Sequence, residues 1–184
     1  MTPQQALQEI IEGNDRYVEG RVTSSNLPES RALLVDGQAP IAAIVRCADS
    51  RVAPEIVFDQ PLGKLFVCGV AGNIPTVEIV ESFEYALGHL GVTLLVVMGH
   101  SQCGAVHAAL TNEVVHGVFA RVALSPVPDL DECVAHNAEQ GVNTILESSK
   151  MIEDAVKNGH VQIVAGVQDI ASGKFELVAQ TQLN

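Results

Sequence analysis

The sequence predicts an α/β domain with a mainly parallel sheet flanked by helices, and three observations predict it. Short apolar runs recur at residues 41–46, 65–68, 92–98, 161–167 and 175–180. The strongest of them are continuous rather than alternating, as strands buried on both faces require. Longer segments between several of them carry apolar residues three and four apart, the period of a helix that lays one face on a sheet. No linker, internal repeat or low-complexity segment interrupts the pattern, so residues 1–184 read as one domain.

Taken in order, residues 3–20 read as an amphipathic helix with Ala6, Ile10, Ile11 and Tyr17 on one side. A polar stretch containing Ser24, Ser25, Asn26 and Pro28 breaks it. I-A-A-I-V-R (41–46) and L-F-V-C (65–68) are the first two strand candidates. Pro75 is placed to open a helix in its first turn. Val80, Phe83, Leu87 and Leu90 follow at spacings of 3, 4 and 3, and Gly91 closes the segment. V-T-L-L-V-V-M (92–98) is the strongest strand signal in the chain. Helical pattern resumes over 102–110 and again over 129–158, with Gly159 as its stop; the last two runs are strands joined through a turn at Ser172 and Gly173.

At 184 residues and 47% hydrophobic content the chain can bury a sizeable core. Its net charge of −12, from 10 basic and 22 acidic side chains, argues against a nucleic-acid partner, which needs a basic face, and supplies no polybasic patch for a membrane surface. The first twenty residues are polar and lack the apolar core of a signal peptide, and no apolar run has the length to span a bilayer. A cytoplasmic location is expected, and with it reduced cysteines.

Four cysteines occur. Cys68 lies in an apolar strand run and Cys133 on a helical stretch, and both read as small buried side chains. Cys47 and Cys103 differ. The first strand run ends in C-A-D-S-R (Cys47, Asp49, Arg51) and the strongest one in G-H-S-Q-C-G (His100, Cys103). Ligands of open α/β sheets bind beyond the carboxyl ends of strands, so two such ends can bring their side chains to one rim. Two thiolates and an imidazole suit zinc, and three protein ligands leave a fourth position open for a water that the metal acidifies. Asp49 can accept a hydrogen bond from that water or bind the metal itself. Arg51 can pair with Asp49 and keep it off the metal, which makes an open and a closed arrangement conceivable. His89, His107, His116, His136 and His160 have no ligand-spaced partner and read as solvated or structural.

These residues resemble the beta-class carbonic anhydrases, whose hallmark is C-x-D-x-R followed by H-x-x-C, here Cys47-Ala48-Asp49-Ser50-Arg51 and His100-Ser101-Gln102-Cys103. E-G-N-D-R-Y-V-E-G, S-R-V-A-P-E-I-V-F-D-Q, A-G-N, E-S-F-E-Y-A and D-I-A-S-G-K extend the resemblance over nearly the whole chain. It implies reversible hydration of carbon dioxide by a zinc lyase with one Zn2+ per subunit. It also implies an N-terminal helical arm (residues 1–35) packing on a partner subunit, and a homodimer or a dimer of dimers. By motif position it implies that Gln38 orients bicarbonate, that Phe66, Ala71 and Tyr85 line an apolar carbon dioxide pocket built partly by the neighbouring subunit, and that the Gly104 amide faces the reacting oxygen. Two positions depart from relatives. Gly69 stands where many carry arginine, and Ile44 stands where some bacterial members carry the tryptophan of a non-catalytic bicarbonate pocket, so inhibition through such a pocket is not expected.

Three rival readings compete with this one. A zinc hydrolase of the same fold acting on carbonyl sulfide or carbon disulfide would show altered motif surroundings. A cysteine phosphatase needs C-x₅-R, but Ala53 stands six after Cys47. A non-catalytic zinc-stabilised scaffold would lose its fold with its metal.

Overall fold

The computed structural model describes residues 1–24 and 28–182; Ser25 and Asn26 of the expected helix-breaking stretch lie outside them. Helix α1 (Pro3–Val18) opens on a capping box, in which Gln5 N–H donates to Thr2 Oγ1 at 3.2 Å and Thr2 N–H to Gln5 Oε1 at 2.9 Å. It stops at Val18, two residues short of the expected end, before Gly20 at φ 68°. Five strands follow: β1 (Ala42–Arg46), β2 (Leu65–Gly69), β3 (Leu94–His100), β4 (Gln162–Gln168) and β5 (Phe175–Gln180). Between them run α2 (Pro54–Val57), α3 (Val77–Leu90), α4 (Gly104–Leu110), α5 (Leu130–Ser148) and α6 (Lys150–Lys157).

The sheet order is β2-β1-β3-β4-β5, parallel throughout except for β5. All seven residues of β3 are buried, which explains its uninterrupted apolar run. Odd and even positions feed two separate cores. Ala42, Ile44, Leu94, Val96 and Met98 pack with Ala6, Ile10 and Phe58 on one face. Ala43, Val45, Leu95 and Val97 pack with Phe83, Ile145 and Ile152 on the other.

Several boundaries differ from the sequence reading. β3 starts at Leu94 and runs through His100, so His100 is the last residue of the strand. Pro75 lies before the cap Thr76 and outside the helix it was expected to open. Gln102, at φ 56°, is outside α4. The long segment 129–158 is two helices, divided at Ser149, whose Oγ accepts from Ile152 N–H at 3.1 Å and starts α6. A helical period continues across such a break, which is why the sequence reads as one helix.

Helix α1 is tied to its own chain by Asn14, which is buried. Asn14 Nδ2 donates to the carbonyls of Val57 and Gly173, and its Oδ1 accepts from Phe175 N–H. The segment after α1 is held by Asp59, whose buried carboxylate accepts from Arg16 Nε at 2.6 Å, Thr23 Oγ1 at 2.9 Å and Ser24 N–H at 2.7 Å. Burial pushes this carboxyl up, but the Arg16 guanidinium and the Ser24 and Thr23 donors outweigh it and hold it well below the usual carboxylate range. A depressed carboxyl contributes stability above the unfolded value of about 3.9, and that contribution is lost as pH falls toward the folded value. Asp59→Asn should therefore cost about 3 kcal/mol at pH 7 and flatten the acid side of a plot of Tm against pH. Thermal denaturation across pH 3–7 checks this, and a mutant with the parental curve refutes it.

Candidate metal centre

β1 and β3 are neighbours in the sheet, but the chain leaves β1 toward β2 on one side and returns to β3 on the other. The connections diverge there, which makes the carboxyl ends of β1 and β3 the switch point where ligands of such sheets sit. Arg46 pairs with Met98 in register, so Cys47, the next residue after β1, meets the end of β3. His100 closes β3, and Cys103 is the N-cap of α4. All three are buried, and their ligand atoms lie within 4.8 Å of one another.

The geometry suits a metal ion. Two zinc–thiolate bonds of about 2.3 Å at a tetrahedral angle separate the sulfurs by about 3.8 Å, and Cys47 Sγ and Cys103 Sγ are 3.9 Å apart. His100 Nδ1 lies 2.9 Å from the Ser101 carbonyl, which can only accept, so the proton sits on Nδ1 and the Nε2 lone pair is left over. That Nε2 is buried and has no hydrogen-bond partner, an arrangement that coordination resolves. Cys47 is lowered to about 4, first by the hydrogen bond from the Cys103 thiol, with the Gly72 and Asp49 amides adding to it against burial. Cys103, as the donor of that bond and itself buried, is pushed up in turn. The fourth corner is approached by Asp49, whose Oδ2 is 4.0 Å from His100 Nε2. Both Asp49 oxygens are taken by Arg51, through Nε at 2.9 Å and Nη2 at 2.7 Å, and this pairing holds the carboxyl well below its usual range. Of the two arrangements conceivable from sequence, the structure shows Arg51 holding Asp49.

Residues 42–128 match the family model described as carbonic anhydrase. The chain is 37% identical to carbonic anhydrase 2 of Mycobacterium tuberculosis, covering 95% of this chain and 92% of that one. It is 35% identical to the carbonic anhydrase of Mycolicibacterium smegmatis, over 95% and 93% of the two chains. It belongs to the beta-carbonic anhydrase family. The fold agrees: the structure of the beta-carbonic anhydrase CcaA superposes with a TM-score of 0.70 at 24% identity over 93% of this chain and 94% of that one. One of two tetrameric beta-carbonic anhydrases of Sordaria macrospora gives 0.72 at 22%, over 97% and 100%.

The residues that the beta-carbonic anhydrase resemblance assigns to the pocket are not all gathered within one chain. Ala71 packs against the core that contains Cys47 and Cys103. Gly104 follows Cys103 at the start of α4, and a Cβ added there would meet no atom within 4 Å. Phe66, by contrast, packs against the opposite core, because alternation along β2 sends Val67 to the metal face and Phe66 to the other. The Tyr85 ring lies 6.4 Å from Phe66 and 5.0 Å from His89, again away from the thiolates. Gln38 is exposed. Cys133 is fully buried and Cys68 half-buried, each beside its own core. Among the described residues no other histidine joins a metal-competent group.

The sequence reading missed two neighbours of Cys47. The guanidinium of Arg46 crosses Gly69, its register partner on β2, where a Cβ would stand 3.4 Å from Arg46 Cζ. Its Nη1 donates to the Cys47 carbonyl at 2.7 Å, so an arginine from β1 overlies the position where the resemblance leads one to expect an arginine on β2. A signal existed: an arginine ending an otherwise apolar run beside a missing one. The second neighbour is the Gly72 amide, 3.4 Å from Cys47 Sγ. It belongs to the A-G-N stretch, in which the resemblance assigns a role to Ala71 and none to Gly72.

Proposed function

We propose that this chain is a zinc-dependent carbonic anhydrase that interconverts carbon dioxide and bicarbonate, with Cys47, His100 and Cys103 as ligands of one Zn2+ per subunit. The observation that carries this reading is a buried imidazole nitrogen without a partner, set beside two sulfurs at zinc-ligand separation. Zinc, when bound, supplies a Lewis acid that acidifies water, to a pKa of about 7 in the three-histidine carbonic anhydrases. Asp49 accepts a hydrogen bond from the water that adds to carbon, and Arg51 keeps that carboxylate ionised and turned away from the ligands. The released proton passes to solvent as bicarbonate forms. The Gly104 amide and the Gln38 side chain donate to the oxygens that gain charge, and Ala71 forms the apolar wall on the ligand side.

The remaining wall comes from a second copy of this chain. Phe66 and Tyr85 lie on the wrong face of their own sheet to reach their own ligands, and Tyr85 is half exposed. Leu33 and Val35 of the 1–35 arm are 86% and 79% exposed, apolar side chains that a partner would cover. A homodimer or homotetramer of a single domain follows, and the tetrameric Sordaria enzymes support it. Among the described residues no helix is long and apolar enough to cross a membrane.

The test measures zinc content, carbon dioxide hydration and sulfide release from carbonyl sulfide on one preparation. One zinc per chain with fast hydration and negligible sulfide is expected. Asp49→Asn, which keeps the shape and removes the charge, should retain zinc and lose about 100-fold in rate. Sulfide release outpacing hydration would transfer the site to the rival substrate, and bound zinc without either activity would leave a scaffold.

A further inference from the structure

The Gly72 amide that faces Cys47 Sγ is held by a residue remote in sequence. Gly72 sits at φ 77° in the turn Ala71–Asn73, a left-handed conformation that suits glycine. Its carbonyl accepts a hydrogen bond from Asn137 Nδ2 at 2.9 Å, and Asn137 Oδ1 accepts from Ala123 N–H at 3.0 Å. Asn137 is 3% exposed and lies on α5 among Cys133, Val134, Ala138 and Gly141, a stripe that is otherwise apolar or small. A buried amide in such a stripe is costly unless satisfied, and both of its ends are satisfied by backbone, one of them the turn that faces Cys47. The turn is also boxed in. A Cβ on Gly72 would stand 3.4 Å from Ala105 Cβ and 3.5 Å from Val122 Cγ2.

We propose that Asn137 is a positioning residue of the metal centre: it clamps the Gly72 carbonyl and so aims the Gly72 N–H at the Cys47 sulfur. The inference rests on the metal reading above and deepens it. A hydrogen bond into a thiolate draws charge off the sulfur and weakens its donation to the ion. Two thiolates together cancel the charge of a dication, so this bond preserves part of the ion's Lewis acidity. Asn137 reaches no ligand itself and acts through the turn.

The test reads the metal rather than turnover. In wild-type protein loaded with cadmium-113, the Gly72 amide proton should show scalar coupling to the metal across Cys47 Sγ. In the cobalt(II) form, Asn137→Asp should move the thiolate-to-metal charge-transfer band to longer wavelength and abolish the cadmium coupling. This variant keeps the side chain's shape and its acceptor for Ala123, and replaces the donor to Gly72 with an oxygen. Ile145→Val, on the same helix but in the other core, should lower Tm and leave band and coupling in place. An Asn137→Asp protein with the parental band and coupling overturns the inference. Should that variant not fold, the wild-type coupling decides, and its absence in a cadmium-loaded protein is equally fatal. A wild type that takes up metal and shows the coupling but hydrates no carbon dioxide sinks the proposed function alone.

Discussion

Cys103→Ser should leave a folded protein that no longer holds stoichiometric zinc and has lost its hydration activity. The fold should survive because Cys103 is the N-cap of α4 with extended backbone (φ −71°, ψ 113°) and no capping hydrogen bond of its own. Serine is among the preferred residues at that position, so the helix start is kept or improved. The metal should not survive. A serine hydroxyl is a far poorer zinc ligand than a thiolate, and the substitution dismantles the 3.9 Å sulfur pair. Outer-shell partners of metal sites contribute about 10- to 100-fold in affinity, so loss of a direct ligand should exceed about 100-fold, with rate following occupancy. Elemental analysis and a stopped-flow hydration assay on the same sample check this. A serine variant with one zinc per chain and the parental rate would remove Cys103 from the ligand set.

Gly13→Ala should be the most damaging single methyl group in the molecule's scaffold. Gly13 is buried where α1 crosses the end of α2, and an added Cβ would fall 1.9 Å from the Phe58 carbonyl oxygen and 2.8 Å from its carbon. Both are backbone atoms and cannot swing aside, so α1 must lift. Asn14, the next residue, would then lose its bonds to Val57, Gly173 and Phe175 together. Overpacking of this kind costs about 3 kcal/mol or more, which lowers Tm by roughly 6–12 °C in a chain of this size. Gly104→Ala, with open space around it, is the matched control and should leave Tm nearly unchanged. Equal Tm values for the two variants would show that α1 does not seat as described.

The readable features in this chain share a physical origin. Strand runs, the α3 stripe and the Gly91 stop are local: side-chain type and period determine them, and they were found within a few residues. The three metal-competent side chains were readable because thiol and imidazole at strand ends are rare and chemically specific. The failures were non-local. Ser149 divides α5 from α6 without disturbing the helical period. Asn137 is, in the sequence, one more polar residue in a helical stretch, since nothing near it reveals that Gly72 and Ala123 are its partners. Arg46 and Gly69 form a pair through the register of β1 on β2.

The sequence by itself determined the layered α/β class, the strand-end motifs and the identity of the three metal-competent side chains, because each depends on residue type and spacing over a short span. Tertiary structure alone decided that β1 and β3 stand side by side, so that Cys47, His100 and Cys103 come together. It also decided that Arg51 holds Asp49 and that Phe66 and Tyr85 face away from their own chain's thiolates. Those outcomes follow from strand order, register and the alternation of a pleated sheet, which place residues far apart in the chain at bonding distance or on opposite faces.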